Sequence, residues 1–248
     1  MVYVAWQRRY RWRMADRLRV AHCSDIHLSG GPEDPARAAF ARALAAMRRR
    51  GPDLLLLAGD LFDANSVPED AAEWAMDVLA RLPFPVAMIP GNHDCMAQDG
   101  IFRRFDFGAI PNVSMLADEP GSFVELPGLG ASVWGRGMAS HSPGFLPLAG
   151  VPARSPSSRW HLGMGHGFFV PRGEEAGRSS PIRMEEIEAS GLDYLALGHH
   201  HAAMELVGPG FCAAYSGSPT DDLGRGATYA MVDLCSGLPP SLAIHLVD

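Results

Sequence analysis

The chain has 248 residues, of which 47% are hydrophobic and 20% charged, with a formal net charge of −7. That length supports a sizeable buried core, and the balance excludes a disordered or fibrous chain. The acidic balance argues against a protein that grips nucleic acid through a broad basic face.

No apolar run approaches the length of a membrane span, and nothing near the start has the apolar core of a signal peptide. The four cysteines, Cys23, Cys95, Cys212 and Cys235, lack the spacing of a disulfide framework. The expectation is a cytoplasmic protein with reduced thiols and no membrane contact. Residues 1–18 are read as an N-terminal extension and residues 19–248 as a single domain. The cluster Arg8, Arg9, Arg11, Arg13, Arg17 and Arg19 is then a solvated arm.

Taken in chain order, Arg19–Ser24 reads as a short strand running into Asp25. Residues 35–50 place Ala38, Phe40, Ala41, Leu44, Ala45 and Met47 near a 3.6-residue period, which predicts a helix stopped by Gly51-Pro52. Asp53–Ala58 is apolar without alternation, the pattern of a strand covered on both faces. A second helix is predicted over 68–82 and a third buried strand over 85–89. This alternation is that of a parallel sheet.

Beyond about residue 110 the predicted pieces are mostly strands, at 122–126, 131–134, 160–165, 194–197, 211–215, 228–234 and 243–247. A helix is expected over 182–189. Stretches 140–158 and 173–181, rich in Pro, Gly and Ser, read as surface loops. The fold class is therefore α/β, with an α/β first half and a strand-rich second half.

Several predicted strands end in residues that bind metal ions. They are Asp25-Ile-His27, Gly59-Asp60-Leu-Phe-Asp63, Gly91-Asn92-His93-Asp94, His166, and Gly198-His199-His200-His201. The carboxyl ends of strands in open α/β sheets converge on the crevice where ligands bind. In an extended segment residues i and i+2 point the same way, so Asp25 and His27 can grip one ion, as can His199 and His201. Mixed carboxylate, imidazole and amide donors suit Mn²⁺, Fe or Zn²⁺.

In this order the five blocks resemble the calcineurin-like metallophosphoesterases. The resemblance implies a four-layer α/β/β/α sandwich of two mixed sheets with helices outside. It also implies two divalent metal ions, manganese before iron or zinc. Asp25, His27, Asp60 and His201 would surround the first, and Asp60, Asn92, His166 and His199 the second, with Asp60 shared. Two such ions about 4 Å apart activate water and clamp phosphoryl oxygens for in-line attack. By the same resemblance His93 protonates the leaving oxygen, Asp94 orients its ring and Asp63 supports the site.

More narrowly, His22-Cys-Ser-Asp-Ile-His-Leu28, Gly59-Asp-Leu-Phe-Asp63 and Tyr215-Ser-Gly-Ser-Pro219 resemble the DNA repair exonuclease branch of SbcD type. That branch implies a phosphodiester substrate, nucleic acid or nucleotide, and an ATPase partner subunit. Its members carry a DNA-capping domain and an ATPase attachment region, which these 248 residues do not include. The alternatives are a phosphomonoesterase, a hydrolase of small nucleotides or lipid-linked pyrophosphates, and a non-catalytic scaffold of the same fold.

Substrate contacts are sought at Arg136, His141, His200, Tyr215 and Ser218. A guanidinium suits a phosphate oxygen, although solvent exposure explains Arg136 equally well. His200 faces away from its two neighbours and also fits a core position. His22, His161 and His245 lie in or beside strands and read as structural.

Overall fold

The computed structural model describes residues 16–140, 142, 144–220 and 223–247. Strands β1 (Arg17–Cys23), β2 (Leu54–Ala58), β3 (Val86–Ile89) and β4 (Val113–Met115) run parallel, in that order. A second group comprises β5 (Ser122–Leu126), β6 (Ala131–Gly135), β7 (Trp160–His166), β10 (Tyr194–Gly198), β11 (Met204–Gly208) and β12 (Phe211–Tyr215). Their order is β11-β12-β10-β7-β6-β5, with parallel pairing at the centre and antiparallel pairing at both edges. Two late strands, β13 (Thr228–Cys235) and β14 (Ser241–Leu246), extend the first sheet antiparallel beyond β1. A small parallel ribbon joins β8 (Phe168–Val170) to β9 (Pro181–Arg183).

The unbroken apolar run of β2 has a simple cause: neither of its faces meets water. Leu54, Leu56 and Ala58 point into the space between the sheets, against Val133, Leu162, Met164 and Tyr194. Leu55 and Leu57 point the other way, into a cluster with Phe40, Leu44 and Met47 of helix α1 (Pro35–Arg49) and Ala72, Ala75 and Leu79 of α2 (Glu69–Ala80). Alternation at period two thus divides one strand between two cores. Asp34 caps α1 by accepting from the Ala36 N–H at 2.9 Å, with Pro35 in the first turn.

Two short α-helices remain among the described residues, α3 (Ile101–Arg104) and α4 (Met184–Ala189). Ile187 of α4, with Leu148 and Ile182, covers Leu195, Leu197 and Tyr215 on the outer face of the second sheet. Two mixed sheets with helices outside are therefore observed, and the layer order α/β/β/α holds. The outer layer on the second sheet is thin, a six-residue helix with ribbon and loops. No helix among the described residues is long and apolar enough to cross a membrane.

Three expectations need correction. Residues 182–189 are not all helix, because Pro181–Arg183 pairs with Phe168–Val170 and buries Ile182 before the helix starts. No strand is predicted over 204–208, yet β11 forms there at the sheet edge with Leu206 alone buried. The first strand begins at Arg17, inside the supposed extension. Residues 1–15, with Arg8, Arg9, Arg11 and Arg13, lie outside the described residues.

Arg17 and Arg19 are no solvated arm, since both grip Asp233 of β13. Arg17 Nη2 and Arg19 Nε lie 2.8 Å from its Oδ1, and Arg19 Nη2 lies 3.0 Å from Oδ2. The Arg19 hydrogen bonds, more than the partial burial opposing them, hold the Asp233 carboxyl below the usual carboxylate range. A lowered folded-state pKa adds stability above the unfolded value of about 4, lost as pH falls through the folded value. Asp233→Ala should therefore lower the melting temperature near neutrality by an amount worth about 0.5–1 kcal/mol, the group being partly exposed. The difference from wild type should begin to narrow below about pH 4 and close only as pH falls through the lowered folded value. Equal melting curves at pH 7 would contradict this role.

Candidate metal centre

Asp25 follows β1, Asp60 follows β2, Asn92 follows β3, His166 ends β7 and His199 follows β10. Their backbones are unusual. Asp25, His27, Asp60 and His199 have φ of 56°, 54°, 52° and 95°, and among the described residues Ser180 alone shares this among non-glycines. That left-handed region is costly for residues with a Cβ, about 1–3 kcal/mol each, and persists only where neighbours over-determine it. Here the loops after β1 and β2 lace together: Asp25 N donates to Gly59 O, Ile26 N to Asp60 O and Leu28 N to Leu61 O, at 2.8–3.1 Å. Gly91 is required for another reason. A Cβ there would stand 2.1 Å from Asp60 Oδ1.

Two groups of donor atoms result. In the first, His27 Nε2 faces His201 Nε2 at 3.2 Å, with Asp60 Oδ2 3.9 Å from the former and Asp25 Oδ1 3.8 Å from the latter. In the second, His166 Nε2 lies 3.2 Å from Asp60 Oδ2 and 3.0 Å from Asn92 Oδ1, which also meets His199 Nδ1 at 2.9 Å. One donor atom each from Asp25, His27 and His201, and from Asp25, Asp60 and His166, lie within 4.8 Å of one another.

Tautomers make these groups fit cations. His166 Nδ1 sits 2.8 Å from the Ala58 carbonyl and must donate to it. The Nε2 lone pair then faces two oxygen acceptors, an arrangement that needs a positive charge between them. Burial by itself would lower the His166 pKa, but Asp60 and Asp25 lift it to about 9. Burial likewise works against the Asp60 carboxylate, yet His166, His27 and the His93 N–H hold its pKa below the usual range. Burial dominates at Asp25, whose pKa rises, and at His199, which falls to about 4.

Residues 18–203, which contain every one of these donors, match the model of the calcineurin-like phosphoesterases. The chain belongs to the calcineurin-like phosphoesterase family. It is 27% identical over 218 residues, 81% of its own length, to the metallophosphoesterase YhaO of Bacillus subtilis, and spans 53% of that curated relative. Among solved structures it resembles TT1561 of Thermus thermophilus, with a TM-score of 0.62 at 11% identity over 93% of this chain and 99% of that one. An archaeal phosphodiesterase superposes with a TM-score of 0.53 at 13% identity, over 92% of this chain and all of that one. Purple acid phosphatase PPD1 of yellow lupin gives 0.56 at 10%, over 93% of this chain and 52% of that one. At such identities these likenesses establish the fold.

Around the phosphoesterase centre the structure separates the other expected residues. His93 stands at the rim, its Nδ1 2.7 Å from the Asp63 carbonyl and its ring centroid 4.7 Å from that of His27. Asp63 serves His27 as well, with Oδ1 3.1 Å from His27 Nδ1. The expected pairing of Asp94 with the His93 ring is corrected. The Asp94 carboxylate is buried and accepts from the Gly91 and Phe62 N–H groups at 2.7 and 3.1 Å, so it braces the two ligand loops. Burial, then Asp60, raises its pKa to about 7.

Arg136 has backbone partners in the structure. It donates to the carbonyls of Glu119 and Leu146 and lies over the Phe145 ring, which ties two loops together. Tyr215 is buried and donates to the Gly167 carbonyl at 2.8 Å, which leaves its hydroxyl no substrate. Ser218 is buried too, and donates to the Asp25 carbonyl. His200 is half-buried beside the Tyr215 ring, at a centroid distance of 5.6 Å. His141 lies outside the described residues. His22 and His161 are buried in hydrogen bonds to Tyr194 and to Ser132 and Pro152, as structural residues. Sequence reasoning missed Ser24, which donates to Asp25 Oδ2 at 2.6 Å; its place directly before Asp25 was the available signal.

Proposed function

We propose that this phosphoesterase is a dinuclear metal-dependent phosphodiesterase. Asp25, His27, Asp60 and His201 would hold one divalent cation, and Asp60, Asn92, His166 and His199 the other, with manganese first among the metals this donor set suits. Such ions neutralise phosphoryl charge and lower the pKa of water when bound.

The observation that carries the diester reading is His93. Its Nδ1 is occupied by the Asp63 carbonyl at 2.7 Å, so the ring is fixed with Nε2 free to act. Its side chain is 43% exposed, enough to reach an incoming ester beside the buried donors. A protonated His93 can give its Nε2 proton to a departing alkoxide while Nδ1 stays bonded. That help matters most for a poor leaving group, as in an alkyl phosphodiester. The motifs shared with the SbcD-type exonucleases support nucleic acid or nucleotides as the diester class, and an ATPase partner would follow from the same motifs.

A substrate panel tests the reading, using metal-stripped protein with and without Mn²⁺. Bis-nitrophenyl phosphate and single-stranded DNA should be hydrolysed only with the metal, and faster than mono-nitrophenyl phosphate. Faster monoester turnover would make the protein a phosphomonoesterase. Intact DNA beside a cleaved small diester would remove the nuclease reading, and no turnover at all would favour a scaffold.

A further inference from the structure

We infer that the Ser216-Gly217-Ser218 turn after β12 is a positioning element for one of the two cation sites, setting its affinity through Asp25 and His201. This rests on the two-cation reading above.

The turn reaches Asp25 twice. Ser24 donates to Asp25 Oδ2 at 2.6 Å and stands 3.0 Å from Ser216 Oγ. A hydroxyl has one proton. Ser24 spends its own on the carboxylate, so the proton between the two serines comes from Ser216, which shares it with the Gly217 carbonyl at 3.0 Å. Together with the His199 N–H, which donates to both carboxylate oxygens, the relay holds the rotamer that leaves Asp25 Oδ1 facing His201 Nε2 at 3.8 Å. Ser218 Oγ, in turn, donates to the Asp25 carbonyl at 2.8 Å. That bond stabilises a residue whose φ of 56° is unfavourable on its own. Ser24, Ser216 and Ser218 are all buried, so water cannot replace a lost partner cheaply.

The turn also holds the other ligand of that site. Ser218 N donates to the His201 carbonyl at 2.9 Å. Gly217, at φ 72°, lies so close that a Cβ would stand 2.1 Å from Thr228 Oγ1 and 3.2 Å from the His201 carbonyl. The second site is braced from elsewhere: His166 by the Ala58 carbonyl, and Asn92 by the two imidazoles it meets. Among the described residues no hydrogen bond of the turn reaches the side chains of Asn92, His166 or His199. Asp25 meets the second site through the His199 N–H, which donates to its two oxygens at 2.9 and 3.1 Å, so the influence of the turn should fall chiefly, not solely, on the first site.

Calorimetric titration of the metal-free protein with Mn²⁺ tests this in wild type, Ser216→Ala, Ser218→Ala and the double variant. Wild type should show two binding events. Loss of partners behind a ligand costs about 10- to 100-fold in metal affinity, so one event should weaken by that factor in the double variant while the other changes far less. Both events unchanged, or both weakened alike as general loosening would do, overturns the inference. Circular dichroism reports folding, and if the double variant unfolds the single variants decide. Wild type that takes up fewer than two ions overturns the two-cation reading, and this inference with it.

Discussion

Asp60→Asn should abolish metal-dependent hydrolysis while leaving the fold intact. Substituting a group behind a ligand already costs about 10- to 100-fold, so removing the shared carboxylate should cost more than about 100-fold. The geometry explains why a single atom matters so much. Asp60 Oδ1 accepts the His93 N–H at 2.9 Å, a bond that an asparagine oxygen preserves. Asp60 Oδ2 faces both His166 Nε2 at 3.2 Å and His27 Nε2 at 3.9 Å, one from each donor group. An amide there removes a carboxylate oxygen that faces an imidazole of each group and presents N–H where a cation would stand. Shape is conserved, so the chain should keep its melting behaviour within the range of ordinary substitutions. Measured Mn²⁺ stoichiometry should drop together with turnover. Turnover retained at wild-type level would sink the two-cation reading, and unchanged stoichiometry would show that Asp60 is not shared.

Much of this centre can be read in the sequence because its supports are local. Most donors stand at or just beyond a strand end, and the apolar runs of β2 and β3 mark two of those strands plainly. Leu54–Ala58 announces itself by having no polar face, and Asp60 stands two residues beyond it. What the sequence hides is whatever depends on partners far along the chain. Arg17 and Arg19 look like an arm until Asp233, more than 200 residues away, supplies their counter-charge. Arg136 looks like a solvent-facing cation by sequence, yet the carbonyls of Glu119 and Leu146 hold its Nε and one Nη. Asp94 looks like a partner for its neighbour His93, but the backbone of the adjacent loop captures it through Phe62 N. Polar side chains keep whichever bond burial forces on them, and a linear reading cannot say which donor will be brought near.

His93→Asn should lower kcat for an alkyl phosphodiester by about 10²- to 10⁴-fold, the usual contribution of a placed general acid. Mn²⁺ affinity and KM should change far less. The reason lies in which His93 atoms do what. The backbone N–H, not the ring, holds Asp60 Oδ1, so the substitution leaves the shared carboxylate in place. The ring contributes its Nδ1 to the Asp63 carbonyl and its other nitrogen to no hydrogen bond among the described residues. Leaving-group dependence separates this role from a general one. Nitrophenolate departs readily without a proton, so bis-nitrophenyl phosphate should suffer less than a dinucleotide, whose leaving group is an alkoxide. Equal losses on both substrates would argue against proton donation. His93 also lies in a potential donor group with His27 and Asp60, so loss of a Mn²⁺ equivalent in the variant would make it a ligand instead. Asp63→Ala provides the contrast. It keeps the carbonyl that orients His93 but removes the carboxylate 3.1 Å from His27 Nδ1. Its defect should therefore appear in Mn²⁺ affinity, and should be the same for good and poor leaving groups once the metal is saturating.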